Sequence, residues 1–296
     1  MRLALIGDKA DHRGYAKIAS RLEGVSLTNV SLADAGETLQ NHSGDFDAAA
    51  IHSAGSRQEE LALLAVAAEK HVLLETPAVS LESARRLQTA CEAANVRWML
   101  GQSSRFLPSM AEVKASVCSG RLGEPGLLRV HRWAPSDSAE LPGGRCLWRE
   151  IDLACWLFES LPTSVYALDN PSAAYVQLHL GFPNDAMALL DFCGSLPAGD
   201  DYFSLSLIGS TGAAYADDHH NRQLVYRGGR AATLGVGQGS LDLLAQLQKF
   251  QQAIERQQTP SVADAEQQTI LQVLAAAEQS LANNQAVSLT NSEATP

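Results

Sequence analysis

Several places in this sequence gather residue types able to do chemistry. The first is Gly7-Asp8-Lys9-Ala10-Asp11-His12-Arg13-Gly14, which follows the apolar run Leu3 to Ile6. A strand that ends in glycine and feeds a helix can hold phosphate, because the helix N-terminus offers unpaired N–H groups and a positive dipole end. The second is Glu75-Thr76-Pro77, which closes another apolar run. Thr76 can donate or accept a hydrogen bond but has no useful ionisation for moving a proton. The third is Arg145, Trp148 and Arg149. A guanidinium stays protonated and is a poor general base, whereas a pair of them suits an anionic ligand such as a carboxylate or phosphate. Asp217-Asp218-His219-His220 has metal-ligand residue types, but adjacent hairpin residues point to opposite faces, so it reads as a solvated turn.

The elements that must position these groups change character along the chain. After the first strand an amphipathic segment runs from Tyr15 to Leu22. Val25 to Leu32 and Asp47 to His52 read as strands, Glu59 to Lys70 as a helix, and His71 to Glu75 as a buried strand. Leu81 to Ala94 follows as a helix and Val96 to Gly101 as a strand. Short alternating strands and helices predict a mainly parallel sheet covered on both faces, a Rossmann-like α/β domain over residues 1–123. From Gly126 the pattern becomes strands at Gly126 to Trp133, Val165 to Leu168, Ala174 to Leu180, Ala186 to Phe192, Tyr202 to Ile208 and Leu224 to Arg227. Among these, Ile151 to Glu159 is the one helix before the closing pair, Leu241 to Arg256 and Ala263 to Ala282. Residues 124–296 therefore form an α+β domain with a large, mainly antiparallel sheet, and the C-terminal helices can pack back on the first domain.

Composition narrows the function classes. A net charge of −11 with 46% hydrophobic and 19% charged residues describes a folded chain whose surface does not suit nucleic acid or anionic membrane. No apolar stretch approaches the roughly 18 residues needed to span a bilayer, and the N-terminus lacks a signal-peptide pattern. The five cysteines are scattered singly, which predicts free, buried thiols and a cytoplasmic setting. His131 and His179, in alternating strands, read as sheet-surface or satisfied core histidines. The partner expected is a small molecule.

Glu75-Thr76-Pro77, Gly101-Gln102-Ser103-Ser104-Arg105-Phe106-Leu107-Pro108, Ser119-Gly120-Arg121-Leu122-Gly123 and Ile208-Gly209-Ser210-Thr211-Gly212 occur in that order. With Ile151-Asp152-Leu153 and the final helices, they resemble the glucose–fructose oxidoreductase / inositol dehydrogenase / rhizopine-catabolism (Gfo/Idh/MocA) superfamily over essentially the whole chain. The resemblance implies an NAD(P)-dependent oxidoreductase of a sugar, polyol or related small hydroxy compound, with homo-oligomerisation through the C-terminal sheet. NAD or NADP would be held by Gly7, Asp8, Lys9, Ala10, Asp34, Ser53, Gln58 and Glu75, and substrate by Arg105, Trp148, Arg149 and Asp152. No metal is implied.

The departures from the family pattern cluster at its active site. Lys9 stands where a second phosphate-loop glycine is expected, and Leu32 stands where an acid normally meets the adenosine ribose. Asp34, two residues on, either takes that role or is an ordinary loop aspartate, and the helix after it should be short or missing. Ser53 keeps a hydroxyl on the nicotinamide side, and Gln58 replaces a histidine. The family's proton-transfer lysine, aspartate and histidine become Thr76, Arg145 and Arg149. The chain is thus either an oxidoreductase with a degenerate site or a catalytically inactive cofactor- or ligand-binding relative.

Overall fold

A computed structural model of the protein describes residues 1–7, 15, 18, 21–53, 55–135, 143–197, 202–217, 222–226, 232–235, 241–258 and 264–289. The chain divides into two compact units, Met1–Phe106 with Gly239–Leu271, and Leu107–Gln238 with Gln272–Pro296. The sequence placed the boundary after Gly123, but helix Pro108–Cys118 packs on strand Ala213–Asp217 of the second unit and belongs with it.

The first unit holds a parallel sheet of β1 (Arg2–Ile6), β2 (Ser26–Val30), β3 (Ala48–Ile51), β4 (His71–Leu74) and β5 (Trp98–Leu100), in the spatial order β2-β1-β3-β4-β5. Both faces of its central strands are covered, so they are apolar throughout rather than alternating. All four residues of β3 are fully buried, and three of them are alanine, which lets the layers approach closely. Leu3, Leu5, Ala48, Ala50, Leu73 and Met99 pack with Tyr15, Ile18, Leu247 and Phe250 in one cluster. Helix α1 (Ala35–Asn41) has only seven residues, the abbreviated form that the short spacing predicts. α2 (Ser56–Ala67) buries Leu61, Ala62, Ala65 and Val66, and α3 (Leu81–Ala93) buries Ala84, Leu87 and Cys91. The side chain of Ser80 caps α3 by accepting from the Ser83 N–H at 3.1 Å.

In the second unit α4 (Pro108–Cys118) precedes β6 (Pro125–Pro135), α5 (Trp148–Phe158), β7 (Ser164–Asn170), β8 (Tyr175–Gly181), β9 (Met187–Leu196), β10 (Tyr202–Gly209), β11 (Ala213–Asp217), β12 (Arg222–Tyr226) and β13 (Ala232–Gly235). Helices α6 (Leu241–Glu255) and α7 (Asp264–Asn283) and the short β14 (Val287–Ser288) complete the chain. The nine strands lie in the order β13-β12-β11-β10-β6-β9-β8-β7-β14. Every pairing is antiparallel except β6 with β9, where the crossover carrying α5 returns the chain in the same direction. β11 and β13 are strands the sequence pattern did not reveal. The Gly209 turn seats against the Leu122–Glu124 backbone, with the Ser210 and Thr211 N–H groups donating to Glu124 O at 3.0 Å and Leu122 O at 3.1 Å.

One expectation needs correction. None of the five cysteines is in a disulfide, but only Cys91 and Cys146 are buried; Cys118, on the solvent side of α4, is exposed. Asp218, His219 and His220 lie outside the described residues, as does His12. Among the described residues no helix is long and apolar enough to cross a membrane, and no three His, Cys, Asp or Glu side chains converge on a possible metal site.

Candidate functional site

β1 sits between β2 and β3, so the chain's direction of progress across the sheet reverses there; open α/β sheets form their ligand crevice at such a switch point, beyond the C-terminal ends of the strands. Backbone hydrogen bonds carry the ladder one residue past each strand. The Gly7 N–H donates to Val30 O at 3.1 Å, His52 N–H to Ile6 O at 2.7 Å, Glu75 N–H to Ile51 O at 3.2 Å and Gly101 N–H to Leu74 O at 2.6 Å. Gly7, His52, Glu75 and Gly101 are thereby fixed along one edge. Asp8, Lys9 and Ala10 lie outside the described residues.

Glu75 is buried beneath this edge and is satisfied within the unit. Its carboxylate accepts from the Tyr15 hydroxyl and, at 3.0 Å, from Gln246 Nε2 on α6. His52 Nε2 lies 3.8 Å from the same carboxylate, with its ring edge-on to Tyr15. Burial, and then the neighbouring Glu75 carboxylate, push the Tyr15 phenol well above its ordinary pKa, so it stays protonated as the donor. Gly101 is required here: a Cβ would come within 2.7 Å of Glu75 Oε2 and 3.1 Å of Gln246 Nε2. The sequence pointed to Glu75 but not to Tyr15, His52 or Gln246, which are distant along the chain and converge only in the fold.

Thr76 is tied down next to this cluster. Its hydroxyl has two acceptors, Ser53 O at 2.8 Å and the Gln58 side-chain carbonyl, while Gln58 Nε2 returns a bond to Thr76 O at 2.8 Å. Three residues that the sequence assigned to catalysis and cofactor, Thr76, Ser53 and Gln58, are therefore brought together, but in a clamp that joins the end of β4 to the β3–α2 turn. Gln58 is almost wholly buried in it.

The end of β2 forms the other half of the edge. Ser31 Oγ donates to Asp34 Oδ2 at 2.6 Å and accepts from the Asp34 N–H at 3.2 Å, a closed local turn. The Arg57 guanidinium, from the first turn of α2, reaches across to Leu32 O at 3.2 Å and pairs with Glu60 at 2.7 Å. Gly55, just before α2, has φ of +71° and nothing within 4 Å of where its Cβ would be. A hydroxyl, a carboxylate, a cationic fork and an open glycine turn at a strand-end crevice fit the adenosine end of a dinucleotide. Arg57 drew no functional reading from sequence, where nothing marks an arginine after β3 as a neighbour of β2.

Arg105 belongs to the first unit, in the turn after β5, and its Nη1 lies 3.2 Å from Glu266 Oε1. The other predicted substrate residues are in the second unit. Arg145 is 3.7 Å from Glu278, and Arg149 lies over the Trp148 ring at 4.5 Å, so these two arginines have different neighbours. Trp148 and Asp152 are both buried in α5. The strongest electrostatic feature nearby was unforeseen: Arg132 Nε donates to buried Glu150 at 2.7 Å and its Nη2 to Cys146 O at 2.6 Å, with the guanidinium 4.8 Å from the Phe192 ring centroid. On the opposite, outward face, His131 bonds Asp191, and Trp133 Nε1 donates to the same carboxylate at 2.9 Å. The His131–Asp191 hydrogen bond raises the His131 pKa from its ordinary value against the opposing effect of burial. His179 contacts Gln177 at 3.1 Å on the same sheet.

Residues 15–102 match the family model GFO_IDH_MocA, "Oxidoreductase family, NAD-binding Rossmann fold". The chain is 30% identical over 195 residues to the uncharacterised oxidoreductase YrbE of Bacillus subtilis, covering 60% of this chain and 57% of that protein. It is 32% identical over 166 residues to inositol 2-dehydrogenase 2 of Saccharopolyspora erythraea, covering 53% and 46%. The matches span about half the length of these curated relatives. In three dimensions it is similar to an aldose-aldose oxidoreductase from Caulobacter crescentus complexed with glycerol. The TM-score is 0.83 at 19% identity, covering 98% of this chain and 99% of that one, a likeness of fold.

Proposed function

We propose that this chain is a member of the Gfo/Idh/MocA oxidoreductase family, a nicotinamide-dinucleotide-dependent oxidoreductase of a small hydroxylated compound, a sugar or polyol, whose proton-transfer group is not residue 76. The observation that carries this reading is the set of groups at the strand ends of the parallel sheet, where the Ser31 hydroxyl, the Asp34 carboxylate, the open Gly55 turn and the Arg57 guanidinium offer donors and acceptors to a dinucleotide. When bound there, the nicotinamide group accepts or returns a hydride. Removing the hydroxyl proton of an alcohol needs a separate base, and the clamped Thr76 hydroxyl has neither the acidity nor the freedom for it. Among the described residues, His52 and Glu75 are the titratable side chains at the ends of β3 and β4. Glu75 is held by Tyr15 and Gln246, which keeps the edge polar and ordered.

A second reading, a binding or regulatory relative that has lost the reaction, is favoured by the same clamp. Titration of the purified protein with NADH and NADPH, followed by nicotinamide fluorescence and melting temperature, tests both. No response at millimolar concentrations refutes the dinucleotide reading. If cofactor binds, turnover on a sugar and polyol panel by the wild type supports the oxidoreductase. Turnover appearing only in Thr76→Lys supports the inactive relative.

We propose a second copy of this chain as the partner. Trp133, Leu168, Met187 and Tyr215 are large exposed apolar side chains, and all project from one face of the nine-stranded sheet. At about 4.8 Å per strand that face is nearly 40 Å wide, enough for the roughly 800 Å² per partner of a stable isologous dimer. Light scattering on wild type and Met187→Glu checks it; a monomeric wild type refutes it.

A further inference from the structure

We infer that Arg57 sets the dinucleotide specificity of this chain, selecting the form that carries a 2′-phosphate on its adenosine ribose, NADPH over NADH. The inference rests on the dinucleotide reading above and deepens it. In a nucleotide-binding α/β domain the end of β2 meets the adenosine ribose; an acid there accepts from the ribose hydroxyls, and an arginine there accommodates a 2′-phosphate. Here Leu32 fills the position of the acid and offers no side-chain acceptor. Its carbonyl instead anchors the Arg57 guanidinium at 3.2 Å, which brings a fixed cation to the end of β2 from a helix that follows β3.

The surrounding charges and space agree with this. Asp34, the nearest acid along the chain, has its carboxylate engaged at Oδ2 by Ser31 in a local turn, at 2.6 Å. Ser31, anchored in that turn, adds a small hydroxyl beside the strand end. Arg57 also pairs with Glu60 at 2.7 Å, but both side chains are about half exposed, and such surface pairs are weak. Among the described residues these bonds engage two of the five guanidinium N–H groups, so the fork keeps donors for a phosphate monoester bearing close to two negative charges. Gly36 leaves room beside it: a Cβ there would already lie 4.0 Å from Nη2, and a larger side chain would crowd the guanidinium.

The test is a set of fluorescence titrations with NADPH and NADH at one ionic strength, on wild type, Arg57→Ala, Arg57→Lys and Asp34→Asn. Calorimetry with 2′,5′-ADP against 5′-AMP probes the adenosine end without any turnover. Wild type should bind NADPH and 2′,5′-ADP the more tightly. Arg57→Ala should weaken both by about tenfold or more while changing NADH by less than about threefold, and Arg57→Lys, which keeps charge but loses the fork, should fall between. Equal or tighter NADH binding by wild type, or equal losses of both dinucleotides in Arg57→Ala, overturns the inference. Loss of NADH binding in Asp34→Asn, in a wild type without NADPH preference, hands the specificity to Asp34 and also overturns it. If neither dinucleotide binds, the cofactor reading itself fails and this inference falls with it.

Discussion

Thr76→Val is the sharpest test of the claim that residue 76 is part of a clamp and not a reacting group. The threonine hydroxyl has one proton and two acceptors, Ser53 O and Gln58 Oε1. Valine keeps the shape and removes the donor. Ser53 O and Gln58 Oε1 then lose a partner, and Gln58 is only 2% exposed, so water cannot readily replace the lost bond. Stranding a buried acceptor costs about 1–3 kcal/mol. A unit the size of the first one shifts by roughly 3–4 °C per kcal/mol, so the melting temperature should fall by about 3–12 °C. Thr76→Ser keeps the donor and should recover most of this. A double cycle with Gln58→Leu should show coupling of at least about 0.5 kcal/mol, since the two side chains bond directly. Dinucleotide affinity in Thr76→Val, measured above its loss of stability, should stay within about twofold. A Thr76→Val protein that melts with the wild type but loses ligand binding or turnover would refute the reasoning, because the hydroxyl would then face the ligand and not the clamp.

Other perturbations test the surroundings. Arg132→Ala should cost about 3–5 kcal/mol by chemical denaturation, since it leaves Glu150 buried without its cationic partner, whereas pairing Arg132→Met with Glu150→Leu should cost clearly less. Burial, then Arg97, hold the His71 pKa below 6.5, and its Nδ1 accepts from the Arg97 N–H at 2.9 Å. A depressed pKa means the unfolded chain binds the proton more readily, so this site loses stability as pH falls below about 6.5, and His71→Asn should flatten that limb of a urea-denaturation profile. Donation from the protonated His131 ring to Asp191 raises the pKa of His131, so its stabilisation is complete below about 6.5 and lost as pH rises through the folded value; His131→Asn should flatten the opposite limb. A mutant profile indistinguishable from wild type would contradict either assignment.

The fold was largely legible because burial imposes patterns over contiguous residues. Leu3 to Ile6, the alanine run of β3 and the apolar run of β4 are apolar throughout because each lies inside a covered parallel sheet. Alternation in β8 and β10 reflects a sheet with one face on the core. What escaped notice had no local signature. β11 is five residues with three alanines, too bland to stand out, and its strand character comes from its partners on either side. The parallel pairing of β6 with β9 depends on how the chain returns after α5, which no strand pattern encodes.

The site was legible in proportion to how close its residues lie to one another along the chain. Thr76 could be singled out because it interrupts a local motif, but its meaning depends on Ser53 and Gln58, about twenty residues earlier, whose own changes were noted separately. Together they form one corner: the Thr76 hydroxyl and the Gln58 amide bond to each other, and the hydroxyl also bonds the Ser53 backbone carbonyl, instead of projecting from this edge. A lysine introduced at residue 76 therefore meets a buried amide in place of a partner for its charge. For that reason Thr76→Lys alone should bind dinucleotide no worse than Thr76→Val yet melt lower, because a cation gains no compensating anion inside the clamp while Glu75 is already held by Tyr15 and Gln246. If Thr76→Lys instead melts at or above the wild type, the edge already holds an anionic partner for that lysine, and the loss of the family's proton-transfer group is a single reversible step and not a rebuilt corner of the site.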